Sequence, residues 1–185
     1  MRSTSVTESQ WVRAAKAGDA DAFGRLVLEH ALAARRVAYA VLKSWEEAED
    51  VVQDAALAAW QAVDRFDAER AFRPWFLRIV SNAALDQLRR RKVREVEPLA
   101  DSLPARAVSP EDSAHRAMLR DQLGQALAEL PERQRVAVTL FDLEGYSHAE
   151  IATILDVPEG TVRSYVFHAR RTLRAALGAL VEGPS

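Results

Sequence analysis

An all-α chain made of two helical domains is predicted by three observations. Apolar residues recur at helical spacing through most of the 185 residues, and no strand-like alternation runs long enough to compete. Pro98, Pro104 and Pro110 interrupt that periodicity, with Asp, Ser and Ala between them and no apolar stripe. Beyond the gap, Tyr146–Leu173 reads as two short helical patterns joined by a tight turn, the sequence form of a helix-turn-helix. Domains are therefore expected over 1–92 and 115–185, with a flexible linker over 93–114. No internal repeat is visible.

In chain order, Gly18-Asp19-Ala20-Asp21 punctuates a short first helix, and a second is expected from about Ala22 to Leu42. Lys43-Ser44-Trp45 breaks it, with Ser44 or Trp45 near the next cap. Glu46, Glu47 and Glu49 then fall in a first turn, where the helix dipole favours negative charge. The third helix continues to about Val63 on the spacing of Val52, Ala55, Ala56, Ala59, Trp60 and Val63. Asp64–Phe72 reads as a polar loop, and Pro74 opens a fourth helix that runs to about Lys92.

That fourth helix is apolar on two sides. Trp75, Phe76, Ile79, Val80 and Ala83 make one face and Leu77, Ala84 and Leu88 another, a breadth expected of a helix packed on several neighbours. Arg78, Asn82, Asp86 and Arg89 recur at four, four and three, so a polar stripe follows the remaining side. Arginines, an asparagine and aromatics on adjoining faces suit stacking on bases and bonding to their edges, as single strands are read. The same pattern also fits a core helix with a solvated face. After the proline gap, periodicity resumes near His115 with Met118, Leu119, Leu123, Leu127 and Leu130, and Pro131 starts a helix holding Val136, Val138 and Leu140.

Ser147 followed by Glu150 has capping-box spacing, and Ile151, Ile154 and Leu155 give the helix it starts an apolar face. Asp156-Val157-Pro158 ends it, because a residue before proline is pushed out of the α region. Pro158 suits the first position of the next helix. Gly160 there lowers helix propensity by about 1 kcal/mol relative to alanine, while a small residue lets the backbone approach a phosphate. Val162, Val166, Ala169 and Leu173 repeat at four, three and four and form one buried stripe. Arg163, Ser164, Phe167, His168, Arg170, Arg171 and Arg174 are left on the other surfaces. A basic second helix of this kind is built to enter the DNA major groove.

Composition narrows the field further. The chain is 49 % hydrophobic and 7 % aromatic, ample for helical cores. It has no cysteine, so disulfides, thiolate metal sites and cysteine nucleophiles are excluded, and a reducing cytoplasm is expected. No apolar run approaches the roughly 18 residues of a bilayer span, and MRSTSVTESQW lacks an apolar signal core. Membrane insertion and secretion are not expected.

The net charge of −2 hides a segregation. Arg89, Arg90, Arg91, Lys92 and Arg94 crowd one segment, whereas Glu46, Glu47, Glu49, Asp50 and Asp54 crowd another. Two kinds of partner are implied, one of them polyanionic. Carboxylates at helical spacing are usually a solvated or protein-binding face. His30, His115, His148 and His168 have no ligand spacing, and His148 is expected exposed in its helix's first turn. There is no glycine-rich phosphate loop, and Ser147 has no base beside it. Neither a catalytic site, a cofactor nor a metal site is expected.

Two blocks carry a resemblance. AEDVVQDAALAAWQAVDRF (Ala48–Phe66) with AFRPWFLRIVSNAALDQLRRRK (Ala71–Lys92) resembles region 2 of the bacterial sigma-70 family, most nearly its extracytoplasmic-function (ECF) group. LPERQRVAVTLFDLEGYSHAEIATILDVPEGTVRSYVFHARRTL (Leu130–Leu173) similarly resembles region 4. Both blocks stand in the family's order. The resemblance implies a sigma factor that binds the polymerase core and directs promoter-specific initiation. Asp50, Val51, Gln53 and Asp54 match the segment that grips the β′ clamp helices, and the β flap is the further core contact. The Asp64–Phe72 loop with Trp75, Arg78 and Asn82 matches the elements that capture an unstacked base of the −10 strand. Arg89, Arg90, Arg91 and Lys92 match the basic end expected on nearby phosphates. Arg163, Ser164, Phe167, His168 and Arg171 match the helix that reads the −35 element. Many relatives are held inactive by an anti-sigma protein, which makes one a candidate partner.

Some positions depart from the pattern. Tyr165 and His168 stand where many relatives carry arginine, and Pro74 where proline is unusual. A bidentate arginine contact is worth about 1–3 kcal/mol of base discrimination, so the departures bear on which −35 sequence is read and not on groove binding. The alternative reading is a stand-alone helix-turn-helix repressor or activator, which would dimerise on palindromic sites. It leaves the Trp75–Asn82 stripe and the Arg89–Arg94 cluster without a role. An enzyme with an accessory DNA module would need a catalytic constellation that the sequence lacks.

Overall fold

The computed structural model describes residues 6–94 and 122–181. All regular structure among them is helical, and the helices fall into two sets on either side of 95–121, as expected. Most of the linker expected over 93–114, and the positions Met118 and Leu119, lie outside the described residues. Among the described residues no helix is long and apolar enough to cross a membrane.

The first set comprises α1 (Val6–Lys16), α2 (Ala20–Leu42), α3 (Trp45–Ala62) and α4 (Phe72–Arg94). Asp19 caps α2, its Oδ1 accepting from the Ala22 N–H at 3.0 Å, so that helix starts two residues before the expected Ala22. Lys43 ends it in the left-handed region at φ 62°. Ser44 then caps α3, accepting from the Glu47 N–H at 3.2 Å. A single 3-10 turn, Val63–Arg65, replaces the last expected residue of α3. α4 begins at Phe72 instead of Pro74, because Glu8 of α1 accepts the Phe72 N–H at 2.8 Å. Pro74 stays within the first turn, where the missing N–H removes no intrahelical bond.

α2, α3 and α4 pack on one another and α1 lies across α2. At their centre Phe72 and Phe76 are wholly buried. Phe72 makes ring contacts with Phe23, His30, Phe66, Trp75 and Phe76. α4 is buried at Phe76, Leu77, Val80, Ala84, Leu85 and Leu88, which covers both apolar sides expected of it.

The second set is α5 (122–129), α6 (Glu132–Val138), α7 (His148–Leu155) and α8 (Glu159–Val181). A wide π-type turn, Thr139–Leu143, prolongs α6. α6 and α7 both pack on α8, while α7 also lies against α4 and α6 against α2. One apolar cluster therefore runs from Val12, Leu26 and Val80 through Leu88 to Leu140, Ile151, Ile154 and Val166. The two helical sets share a continuous core.

Arg135 sits in the seam between them and is only 5 % exposed. Its Nη1 donates to the Ala40 carbonyl and its Nη2 to the Leu130 carbonyl, each at 2.7 Å. Ala40 lies in the last turn of α2, whose carbonyls lack intrahelical partners and carry the negative end of the helix dipole. Burial lowers the guanidinium's pKa; these acceptors replace part of the lost hydration, and Nε has no partner among the described residues. Arg135→Met removes the donors and leaves the carbonyls buried. It should lower the unfolding free energy by about 1–3 kcal/mol in urea titrations followed by circular dichroism.

His30 is 7 % exposed, stacks on Phe72 at a centroid distance of 6.0 Å, and its Nε2 has no hydrogen-bond partner among the described residues. Burial, reinforced by the charge of Arg73, lowers its pKa to about 4. The unfolded chain then binds the proton more readily than the folded one. His30 thus costs no stability above its unfolded pKa, and stability falls as pH drops from about 6.5 towards 4. His30→Leu should flatten that part of the stability–pH curve by an amount on the order of 3 kcal/mol, read from urea midpoints across the window.

Candidate nucleic-acid interface

The α7–turn–α8 unit follows from local signals. Ser147 and Glu150 form the reciprocal capping box: Ser147 Oγ accepts from the Glu150 N–H at 3.3 Å, and the Ser147 N–H donates to Glu150 Oε2 at 2.9 Å. Ile151, Ile154 and Leu155 are buried. α7 ends at Asp156, which adopts a left-handed conformation at φ 54°. Aspartate tolerates that region better than most residues. α8 starts at Glu159, one residue after the expected Pro158, whose carbonyl accepts the Thr161 and Val162 N–H groups at 2.9 and 3.3 Å.

Val162, Val166 and Ala169 bury the expected stripe of α8, with Leu173 packed beside it. Arg163, Ser164, Phe167, His168 and Arg171 are all exposed on the outer surface. Phe167 is 63 % exposed and makes an edge-on contact with the His168 ring at 5.4 Å. Arg163 lies along the helix on Glu159 at 2.6 Å. Two contacts not foreseen from the sequence brace this helix. Arg170 clasps the Asp142 carboxylate with Nε and Nη2, and its guanidinium lies over the Phe141 ring at 4.8 Å. His148 is half-buried instead of exposed, because Phe141 stacks on it at 4.5 Å. The wide turn presents Phe141 and Asp142 together.

On α4 the expected residues separate by role. Arg78, Asn82, Arg89 and Arg90 are exposed. Arg78 is 44 % exposed and reaches Asp156 of the second set at 3.3 Å, while Arg89 pairs with Asp86 at 2.6 Å. Arg91 turns inward to Glu47 at 3.0 Å, buttressing α3. Trp75 is half-buried, its ring 4.7 Å from Phe66 and 5.4 Å from Phe72, so only part of it faces outward. On α3, Asp50, Gln53 and Asp54 are exposed, but Val51 is buried in the core and offers no surface. Exposed Leu57 continues their face. The spacing of 50, 53, 54 and 57 carried that signal.

The surfaces can do three distinct things chemically. The outer face of α8 presents arginines, an aromatic and a hydroxyl along a helix, an element of groove-compatible width. The exposed stripe of α4 presents cations and one amide, suited to phosphates and base edges. The α3 face is acidic with one apolar residue, suited to a basic protein surface. Among the described residues no group of His, Asp or Glu could hold a metal ion.

Comparison with known proteins agrees across the chain. Residues 26–94 match Sigma-70 region 2, and residues 120–173 match Sigma-70, region 4. The chain is 37 % identical over 177 residues to the ECF RNA polymerase sigma factor SigM of Mycobacterium tuberculosis, covering 96 % of this chain and 88 % of that one. It is 33 % identical over 183 residues to the ECF RNA polymerase sigma-E factor of Escherichia coli K12, covering 92 % and 94 %. Among solved structures it is similar to CnrH in complex with the cytosolic domain of CnrY, with a TM-score of 0.69, 29 % identity, and 94 % and 98 % of the two chains covered. It is also similar to the sigma factor RpoE of Bartonella quintana in complex with the anti-sigma factor NepR, with a TM-score of 0.71, 27 % identity, and 84 % and 96 % covered.

Ser147→Ala removes one arm of the capping box. It should lower thermal stability by about 1 kcal/mol, detectable as a lower melting temperature, with the fold retained.

Proposed function

We propose, for a chain that belongs to the sigma-70 family and is an ECF-type RNA polymerase sigma factor, that its two helical sets divide promoter recognition between them. Sigma factors of this type are non-enzymatic and direct transcription initiation, and they act by binding polymerase core and promoter DNA. The division follows residues 1–92 and 115–185, joined through 93–114. Asp50, Gln53 and Asp54, with Leu57 beside them, form the surface for the β′ clamp helices, and Val51 supports it from the core. The second set meets the β flap and delivers α8 to the −35 element, which Arg163, Ser164, Phe167, His168 and Arg171 read in the major groove.

α4 handles the −10 element. Asn82 and Arg78 meet bases and backbone of the displaced strand, Trp75 offers its outward edge for stacking, and Arg89 and Arg90 hold phosphates. Arg91 acts by fixing α4 to α3. Strand separation needs no ATP in this scheme, since the protein favours the open state by binding it better than the duplex. An anti-sigma protein is a fitting regulator, as the complex of RpoE with NepR illustrates for a relative. The site of action is the cytoplasm. The observation that supports the reading is that α4 keeps Arg78, Asn82, Arg89 and Arg90 exposed, and α8 Arg163, Ser164, Phe167, His168 and Arg171, on a chain matched by region 2 and region 4 in order.

Run-off transcription with purified bacterial core polymerase on genomic fragments, including the region upstream of its own gene, tests this. Discrete transcripts that require the protein are expected. Specific duplex binding by the protein alone, without core binding or transcripts, would replace the reading with a repressor or activator. Asn82→Ala should reduce open-complex formation, followed by permanganate footprinting, with core affinity unchanged. Equal loss of both would make Asn82 merely structural.

A further inference from the structure

A cleft of about 350 Å³ opens where the end of α2 meets the turn between α5 and α6. Among the described residues four cations line it: Lys43 at the end of α2, Arg91 and Lys92 near the end of α4, and Arg135 of α6. Glu129 and Glu132 lie on the same wall. Lys92 is paired with Glu132 at 2.7 Å, and Arg91 with Glu47 at 3.0 Å. Lys43 and Arg135 differ from these two. Among the described residues neither pairs with a carboxylate, and both turn to neutral carbonyls instead.

One of those acceptors is shared. The Ala128 carbonyl receives Lys43 Nζ at 3.1 Å and Arg135 Nη2 at 3.5 Å, so two cations converge on a single neutral oxygen. Arg135 Nε has no partner among the described residues. Desolvation holds the Lys43 ammonium below its ordinary pKa, and the charge of Arg135 adds to it. Arg91 and Lys92 push the same way, and Glu132 opposes them. A desolvated cation is costly without an opposite charge. Two such cations lie side by side here, at the wall of an open cleft.

The ion that would complete the cleft is small, multiply charged and rich in oxygen. Lys43 Nζ carries three donors and uses one on Ala128, and ammonium and guanidinium groups both bind phosphate oxygens well. The volume is at the small end of ligand sites, which run from about 300 to 1,000 Å³. Among the described residues no aromatic ring lines the cleft, so a base would have nothing to stack on.

We propose that this cleft binds a small inorganic phosphate anion, orthophosphate or diphosphate, with Lys43 as its principal donor. Arg91 and Lys92 flank the anion, and the buried charge of Arg135 attracts it from behind. The anion supplies the negative charge that Lys43 and Arg135 lack, and it bridges the ends of α2 and α4 to the α5–α6 turn. Diphosphate, the more highly charged of the two, binds tighter. Binding to the folded chain alone makes its stability rise with the anion's concentration.

The test is calorimetric titration of the full chain with sodium diphosphate and, separately, sodium orthophosphate, at an ionic strength held constant with sodium chloride. One saturable site per chain is expected, with diphosphate the tighter ligand. Lys43→Asn removes the ammonium, and asparagine tolerates the left-handed backbone of this position at φ 62°. It should weaken diphosphate binding about tenfold, as loss of one charge-assisted contact does. Arg25→Gln removes the same charge from an exposed position about 27 Å away along the axis of α2, and should change affinity less than about twofold. Thermal unfolding gives a second readout: diphosphate should raise the melting temperature of the unaltered protein more than that of Lys43→Asn. No saturable heat, an unchanged affinity in Lys43→Asn, or equal losses in both variants would overturn the proposal. ADP, which carries a diphosphate with a ribose and base attached, should bind no tighter than diphosphate, and tighter binding of ADP would overturn the inorganic assignment.

Discussion

The guanidinium of Arg135 fixes where the second helical set can sit. A buried cation needs acceptors on all sides, and the last turn of α2 needs donors. Each requirement is met in part by the other, through Ala40 on one side of the seam and Leu130 on the other, while Arg135 Nε has no partner among the described residues. Once α6 is pinned to the end of α2, α7 falls against α4 and the apolar faces of both sets merge. The pairs that Glu144 makes with Arg36 and Arg73 across the seam follow from that placement. A polar contact thus decides the geometry, and hydrophobic burial supplies most of the adhesion.

Elements with local causes were legible in the sequence. The capping box at Ser147 and Glu150, the break after Leu155 and the 4-3-4 stripe of α8 all act within one or two turns, and the structure reproduces them. What could not be read depends on partners far along the chain. α4 starts early because Glu8, 64 positions away, accepts its first N–H. Arg135 looks like a surface residue in ERQRVAV, and only the carbonyl of Ala40, 95 positions away, makes it internal. Val51 and Asp50 are neighbours in sequence, but helical geometry turns one to the core and the other to solvent. Leu57 was readable in principle from its spacing to the acidic residues before it.

The charge pattern gains a third component from the fold. Sequence alone separates an acidic face from basic clusters, which suits two external partners. The structure adds carboxylates of the second set that serve the first set's cations. An overall charge of −2 is therefore the sum of an outward acidic face, outward basic stripes, and pairs that neutralise one another across the seam.

Asp156 combines two constraints in one residue. Its backbone sits at φ 54°, a conformation reached readily by aspartate, asparagine and glycine and by few others. Its side chain faces Arg78. Asparagine or glycine here would preserve the turn, but of these three only aspartate carries charge. One residue thus couples the geometry of the helix-turn-helix to an electrostatic link with α4, and the link can be removed without disturbing the geometry.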